Sequence, residues 1–291
     1  MIKPALQDED FLEDVQRARE APEHLHLWWL GQSGFLVQWG GRHLLFDPYL
    51  SDSLTLKYAA TDKPHVRMTE RVVAPERLNF IDVVSSSHNH TDHLDRETLV
   101  PLLRANPKLE LVIPEANREF VVNRLEVMAE LPRGLNAGES VHLAGFTIHA
   151  VPAAHNELEQ DQWGRHRYLG YVVEAGSWTI YHAGDTRRYE GMEDWLLRRP
   201  IDIALLPIKT LSGLGETART TVRIASAVRR PGANRQSAPA SAYAVSRSMT
   251  SSRSVRPTRK HSARAVSTGR SPTSSNAARA AAIRSRANAT S

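Results

Sequence analysis

The 291-residue sequence contains no cysteine. Disulfide bonds are therefore excluded, and any metal site must be built from imidazole and carboxylate ligands rather than thiolates. No apolar run approaches the roughly 20 residues that span a bilayer. The first 20 residues include six acidic side chains and lack the apolar segment of a secretory signal. We therefore expect a soluble, cytoplasmic protein without a membrane span.

Aromatic and acidic residues are almost absent from the C-terminal part of the chain. Residues 209–291 contain one aromatic residue, Tyr243, and one acidic residue against 16 Lys and Arg, a balance of +15. Residues 1–208 hold 31 acidic and 21 basic residues, a balance of −10, together with all six Trp and all six Phe. The composition therefore divides the chain after Ile208 into an acidic globular part and a basic part.

The basic part, residues 209–291, has an unusual composition, because Arg, Ser and Ala make up 47 of its 83 residues. It buries too little apolar surface to offset its ordering entropy, so we predict that it is largely disordered. It is a solvated tail, an arm that binds nucleic acid or another anionic surface, or the product of a shifted reading frame. We favour the shifted frame as a hypothesis, which translation of the other two frames after codon 208 tests.

Short apolar runs between Gly-rich turns predict a β-rich start, followed by strands that alternate with short helices. The predicted strands are 25–30, 35–39, 43–46, 81–84, 109–113, 146–151, 168–173, 178–181 and 201–206. The predicted helices are 97–103, 115–125 and 192–197. This order is typical of an α/β layered domain.

The strand predicted at 81–84 leads into the segment His-Asn-His-Thr-Asp-His at residues 88–93. His88 and His90 are two residues apart in extended backbone and so point the same way, whereas Asp92 and His93 lie on the turn that follows. A single histidine in such a loop is more often merely solvated. Four ligands for first-row metals rarely cluster so closely by chance, and the spacing therefore indicates a metal centre.

This segment resembles the His-x-His-x-Asp-His signature of the metallo-β-lactamase superfamily, whose fold is a four-layer αβ/βα sandwich with metal ions at the sheet edges. Other motifs of that family have matches after predicted strands. They are Asp47 in Leu-Leu-Phe-Asp-Pro, His155 in Val-Pro-Ala-Ala-His and Asp185 in Tyr-His-Ala-Gly-Asp-Thr. By the resemblance, residues 1–208 form a metallo-β-lactamase-like domain, and Asp47 supports the metal site without binding metal.

The resemblance also implies a ligand set and a cofactor. The cofactor would be two divalent metal ions, with zinc as the default for histidine and carboxylate ligands and manganese or iron as alternatives. His182, three residues before Asp185, has no ligand role in the family. The first ion would be bound by His88, His90 and His155, the second by Asp92 and His93, with Asp185 as the bridge.

The sequence departs from the family at its last motif, a histidine after the last strand. The histidine that follows Asp185 is His261, which has no strand pattern before it, and we do not assign it as a ligand. We therefore expect the C-terminal part of the sandwich to be incomplete or replaced by the basic tail, and the resemblance to cover residues 25–208. An inactive, truncated remnant is one alternative to an enzyme.

Within the superfamily, the stretch Trp-Leu-Gly-Gln-Ser-Gly-Phe at 29–35 is most similar to the branch of L-ascorbate-6-phosphate lactonase and the phospholipase D that hydrolyses N-acylphosphatidylethanolamines. The resemblance implies a hydrolase in which a metal-bound hydroxide attacks an ester, lactone or phosphodiester of a small-molecule or lipid-like substrate. Asp92 would be the proton shuttle. The insertion 50–79 is either a lid whose cations meet a substrate phosphate or an ordinary solvated loop. Its cations are Lys57, Lys63, His65, Arg67 and Arg71.

A different class of function is a nucleic-acid-binding or nuclease-type protein that uses the basic tail. Binding that weakens steeply with salt, and that is lost when residues 209–291 are deleted, would identify it. The acidic balance of residues 1–208 argues against nucleic acid as a substrate. We therefore expect a small-molecule substrate.

Overall fold

The structure, a computed structural model, describes residues 1–62, 65–67, 69–207, 223–225 and 241–243. All described elements belong to one compact unit, Met1–Ser248. The helices are α1 Asp8–Ala18, α2 Ser53–Tyr58, α3 Arg96–Ala105, α4 Arg118–Leu125 and α5 Met192–Leu196, with 3-10 turns at Pro75–Arg77 and Glu115–Asn117. Within the described ranges, no helix combines the length and apolar character that a bilayer crossing requires.

Within the described ranges, thirteen strands form two mixed sheets. The strands are β1 His26–Trp29, β2 Phe35–Trp39, β3 Arg42–Phe46, β4 Val83–Ser85, β5 Glu110–Pro114, β6 Pro132–Leu135, β7 Ser140–Leu143, β8 Phe146–Pro152, β9 Leu169–Ala175, β10 Trp178–His182, β11 Ile203–Leu206, β12 Arg223–Ala225 and β13 Ser241–Tyr243. The first sheet has the order β13-β1-β2-β3-β4-β5-β6 and the second β12-β11-β10-β9-β8-β7. Strands β3 to β6 are parallel, so helical crossovers connect them.

Alternating apolar residues give the first sheet two buried faces. In β2, Phe35 and Val37 belong to a core between the two sheets, whereas Leu36 belongs to the core beneath the helices. Leu44 and Leu45 of β3 divide in the same way. Because side chains alternate across a strand, both faces of the sheet must be covered.

Helices cover the outer face of each sheet. Helix α1 buries Phe11, Val15 and Ala18 at helical spacing, and Phe11 meets the ring of Trp28 edge-on at 6.4 Å. Helices α3 and α4 cover the same face, and α5 packs on the outer face of the second sheet through Trp195 and its neighbours. The layers therefore run helix, sheet, sheet, helix, which confirms the predicted αβ/βα sandwich.

All nine predicted strands and all three predicted helices are present, with ends shifted by one to three residues at most positions. The prediction missed β6 and β7 at one side of the sheets, and α1 and α2 near the N-terminus. Of the predicted tail 209–291, the structure describes two three-residue strands, Arg223–Ala225 and Ser241–Tyr243, which pair with β11 and β1. The rest of that segment, His261 included, lies outside the described residues, so the division after 208 stays a prediction.

Asn106, buried at the C-terminal end of α3, joins this helix to the loop before β4. Its side-chain oxygen accepts from the backbone N–H of Ile81 at 2.9 Å, and its amide donates to the carbonyl oxygens of Leu78 at 2.7 Å and Leu102 at 2.9 Å. The N–H of Ile81 is buried, and a buried donor left without a partner costs about 1–3 kcal/mol.

We predict that Asn106→Ala lowers the free energy of unfolding by at least about 2 kcal/mol, because it leaves a donor and an acceptor of the backbone unpaired in the core. Urea denaturation followed by tryptophan fluorescence measures the change. The matched control is Asn123→Ala on the exposed face of α4, which should stay within about 0.5 kcal/mol of the unchanged protein. Equal stability of the two variants would contradict this assignment.

Candidate metal centre

The candidate site lies where strand ends of the two sheets meet. The segment 86–93 follows β4 of the first sheet, whereas His155 follows β8 and Asp185 follows β10 of the second sheet. Two hydrogen bonds join these edges: the N–H of Leu169 donates to the carbonyl of Ser87 at 3.0 Å, and the Tyr171 hydroxyl to that of Ser86 at 2.9 Å. The predicted site residues therefore come together through the packing of the sheets.

Three of the predicted residues form the tightest group. One nitrogen of His88, one nitrogen of His93 and one carboxylate oxygen of Asp185 all lie within 4.8 Å of one another. Both imidazoles are almost completely buried, with exposed fractions of 1% and 2%. A single metal ion can contact donor atoms at this spacing after small rotations of their side chains.

The other three predicted residues surround this group. The ring of His90 lies 4.6 Å from that of His88 and 4.8 Å from that of His155, between ring centroids. The Nε2 atom of His155 is 3.9 Å from Asp185 Oδ2, and an Asp92 oxygen is 3.6 Å from His93 Nε2. All six predicted residues thus lie in one cluster.

Asp47, expected to support the site, lies directly behind the cluster and is fully buried. Its Oδ2 accepts from His93 Nδ1 at 2.6 Å and from the Ser87 hydroxyl at 2.5 Å, and its Oδ1 accepts from the Ser87 N–H at 2.8 Å. Because Nδ1 of His93 is directed at Asp47, Nε2 on the other side of the ring faces Asp92 and Asp185, at 3.6 and 3.5 Å.

The imidazoles of the cluster have strongly shifted pKa values. Burial lowers the pKa of His88 well below its ordinary value, with a further contribution from His93. Burial also lowers the pKa of His93, but the carboxylates of Asp92, Asp185 and Asp47 outweigh it and hold that pKa well above its usual range. The three carboxylates thus favour a positive charge in their midst. A protonated His93 provides that charge, and so would a metal cation bound among the carboxylates.

The donor set fits a metal ion. Among the described residues, the buried Nε2 of His88 has no hydrogen-bond partner, and such an atom costs free energy unless a ligand satisfies it. Imidazole nitrogen and carboxylate oxygen are the donors that zinc, manganese and iron accept. His182 lies outside the close group, and its ring stacks on that of Phe46 with centroids 4.7 Å apart.

Sequence reasoning missed three residues that shape the centre. The Ser33 hydroxyl donates to the carbonyl of Asp92 at 2.6 Å, and the Tyr168 ring stacks on that of His155 with centroids 5.4 Å apart. Ser87 contacts Asp47 and both buried histidines. The polar Ser-Ser-Ser run at 85–87, which ends β4 and precedes His88, was the available signal for Ser87. Ser33 lies in the stretch 29–35 that resembles the lactonase branch, which was the available signal for it, whereas nothing local marks Tyr168.

The proposed lid, residues 50–79, does not offer Arg67 to a substrate. Its guanidinium is buried and donates to the carbonyl oxygens of Tyr49 at 3.3 Å, Thr69 at 3.1 Å and Ser51. It also lies over the Tyr49 ring, 5.1 Å from the centroid. Arg67 therefore holds the loop together, and of the two alternatives for residues 50–79 the structure contradicts the lid at this residue.

Comparisons with known proteins concern the family and the fold of the chain. The family profile described as "Beta-lactamase superfamily domain" matches residues 42–231. A UPF0173 metal-dependent hydrolase of Opitutus terrae is 30% identical over 197 residues, 66% of this chain and 75% of the relative. One from Saccharolobus solfataricus is 28% identical over 186 residues, 62% and 70% of the two chains.

Among solved structures, the fold is similar to that of a protein described as a possible metal-dependent hydrolase, from Veillonella parvula. The TM-score is 0.50 at 21% identity, and the match covers 67% of this chain and 74% of the other. This likeness concerns the fold.

We predict that Asp47→Asn weakens zinc binding about 10- to 100-fold. The carboxylate accepts at both oxygens, from His93 and the Ser87 hydroxyl at Oδ2 and from the Ser87 N–H at Oδ1. An amide has one acceptor oxygen and an NH2 donor, so in either orientation its NH2 faces a donor and at least one of these bonds is lost. Competition with a chromophoric chelator measures the zinc affinity.

The matched control is Asp82→Asn. Asp82 also bonds a histidine, through the backbone N–H of His43 at 2.8 Å, but lies outside the cluster. Its zinc affinity should equal that of the unchanged protein. Wild-type zinc affinity in a folded Asp47→Asn variant would show that Asp47 does not support the centre.

Proposed function

This chain belongs to the beta-lactamase superfamily, and from this membership we propose that it is a metal-dependent hydrolase whose metal centre is the histidine–aspartate cluster. One observation carries the proposal. The buried, unpartnered Nε2 of His88 lies in a group with His93 and Asp185 whose donor atoms are within 4.8 Å of one another. The relatives from Opitutus terrae and Saccharolobus solfataricus, themselves named metal-dependent hydrolases, support the same reaction class.

Six side chains would hold two divalent ions, with zinc as the default. When bound, such ions supply Lewis acidity, which polarises the substrate and makes a water molecule easier to deprotonate. The short distances from Asp185 to both His93 and His155, 3.5 and 3.9 Å, support its role as the bridge. The first ion would take His88, His90 and His155, and the second Asp92 and His93, with Asp185 shared.

Asp92 would handle the proton of the reaction. Its side chain is about one-third exposed and lies 3.6 Å from His93 Nε2, so it reaches both the cluster and the solvent side. A carboxylate there can accept a proton from the attacking water and deliver it to the leaving group. The Ser33 hydroxyl, bonded to the Asp92 carbonyl at 2.6 Å, fixes the turn that carries this group.

The proposed substrate is an ester, a lactone or a phosphodiester of a small or lipid-like molecule. All three have an electrophilic carbon or phosphorus whose oxygens gain negative charge as water attacks. The cluster is open on one side, because the side chains of His155 and Asp185 are each 21% exposed whereas His88 and His93 are buried. The similarity of residues 29–35 to the lactonase and phospholipase D branch supports this substrate range.

We predict that His88→Ala and Asp185→Ala each reduce hydrolysis to the background rate with a modest loss of solubility, because each removes a donor from the centre. The assay uses zinc- or manganese-loaded protein with p-nitrophenyl acetate, a γ-lactone and bis(p-nitrophenyl) phosphate. Release of p-nitrophenol or acid gives the rate.

The matched control is His142→Ala, which removes an exposed histidine of β7. Its rate should stay at the level of the unchanged protein. Unchanged turnover in both His88→Ala and Asp185→Ala would overturn the site assignment, and a metal-loaded chain that hydrolyses none of the three probes would contradict the proposed substrate range.

A further inference from the structure

Ser87 lies between the carboxylate of Asp47 and the two buried histidines of the cluster, His88 and His93. The residue is 1% exposed, and its hydroxyl oxygen lies 2.5 Å from Asp47 Oδ2, 3.0 Å from His88 Nδ1 and 3.4 Å from His93 Nδ1. Asp47 bonds His93 directly, but no bond from Asp47 to His88 is present among the described residues. Ser87 is therefore the link between Asp47 and His88.

Counting protons fixes the direction of each hydrogen bond around this hydroxyl. Two oxygens 2.5 Å apart need a proton between them, and the only one available to a serine and a carboxylate is the serine O–H. Ser87 therefore donates to Asp47. Its oxygen has lone pairs left, so the contact with His88 Nδ1 at 3.0 Å is a bond in which the imidazole N–H donates.

The position of this proton decides which nitrogen of His88 can bind a ligand. A neutral imidazole has one N–H and one lone pair, so a proton on Nδ1 leaves the lone pair on Nε2. In His88, Nε2 is buried and has no hydrogen-bond partner among the described residues. The Asp47 carboxylate bonds His93 directly and His88 through Ser87. Both imidazoles would then carry their N–H on Nδ1, towards Asp47, and their lone pair on Nε2, towards the centre.

We propose that Ser87 is a positioning residue that passes the hydrogen-bonding of Asp47 to His88, so that both buried histidines present Nε2 to the metal centre. The inference rests on the proposed metal centre and deepens it. Ser87 also packs closely against Gly184, the residue before Asp185. A Cβ added at Gly184 would lie 2.7 Å from the Ser87 Cβ, so only a glycine there allows the two segments to approach this closely.

Substitution of Ser87 by alanine tests this role on the full chain. In Ser87→Ala, His88 Nδ1 loses its acceptor, so the imidazole should shift from the Nδ1–H form towards the Nε2–H form. Two-bond ¹⁵N–¹H correlation spectra of the metal-free protein distinguish these tautomers. Zinc affinity, measured by chelator competition, should fall about 10- to 100-fold.

The matched control is Ser85→Ala. Ser85 lies two residues earlier in β4, is fully buried, and its hydroxyl has no hydrogen-bond partner among the described residues. The control should keep the tautomer of His88 and the zinc affinity of the unchanged protein. If the loss of any buried hydroxyl from this segment had the same effect, the His88 tautomer and the zinc affinity would change in both variants.

Two results would overturn the proposal. One is a Ser87→Ala protein that keeps the Nδ1–H form of His88 and the original zinc affinity. The other is an Nε2–H form of His88 in the unchanged, metal-free protein. This measurement needs no variant, so it tests the proposal even if Ser87→Ala does not fold. Failure of the proposed hydrolase activity is a separate outcome, because a chain that binds zinc without hydrolysing any probe leaves both measurements intact.

Discussion

The rest of the centre depends on the buried carboxylate of Asp47. A carboxylate taken out of water must find hydrogen-bond donors, and Asp47 finds three, two from Ser87 and one from His93. Its backbone adopts a positive φ of 39°, a conformation that costs a non-glycine residue about 1–3 kcal/mol. The hydrogen bonds offset that strain and fix the end of β3 against the end of β4.

Hydrogen bonds from the segment that Asp47 holds connect the first sheet to the second. Because Ser87 is held by Asp47, its carbonyl is in place to accept from Leu169 at the start of β9. That bond, together with the one from Tyr171 to Ser86, brings the second sheet against the first at the site. His155 and Asp185, on loops of the second sheet, then meet the histidines of the first. Sheet packing around the charge of Asp47 thus assembles the candidate metal centre, although its most recognisable residues, 88–93, lie together in the sequence.

Sequence patterns predicted the parts of the fold that depend on local signals. Apolar runs between glycine turns predicted the central strands, and the His-x-His-x-Asp-His segment predicted the cluster. Strands β6 and β7 were missed because Pro132–Leu135 contains both proline and glycine, and Ser140–Leu143 is four residues long with no fully buried side chain. Pairing with neighbouring strands therefore determines them more than their composition does. Helix α1 has a local signal in its sequence, the four-residue spacing of Phe11 and Val15.

Contacts between residues distant in sequence account for what could not be predicted in the site. Ser87 is 40 residues from Asp47, and Ser33 is 59 residues from Asp92. The charge of Arg67 was compatible with a substrate contact or with an ordinary loop, and the structure decides between them, because Arg67 bonds the carbonyl oxygens of Tyr49 and Thr69. Charge in a loop therefore indicates less than the spacing of ligands after strands.

The most direct test of this account is the number of metal ions bound per chain, measured by elemental analysis of the full-length protein after zinc loading and desalting. The account predicts close to two ions per chain. A single ion would contradict the arrangement in which Asp185 bridges two metals. A chain that retains no metal would contradict the central claim that the cluster around Asp47 is a metal centre.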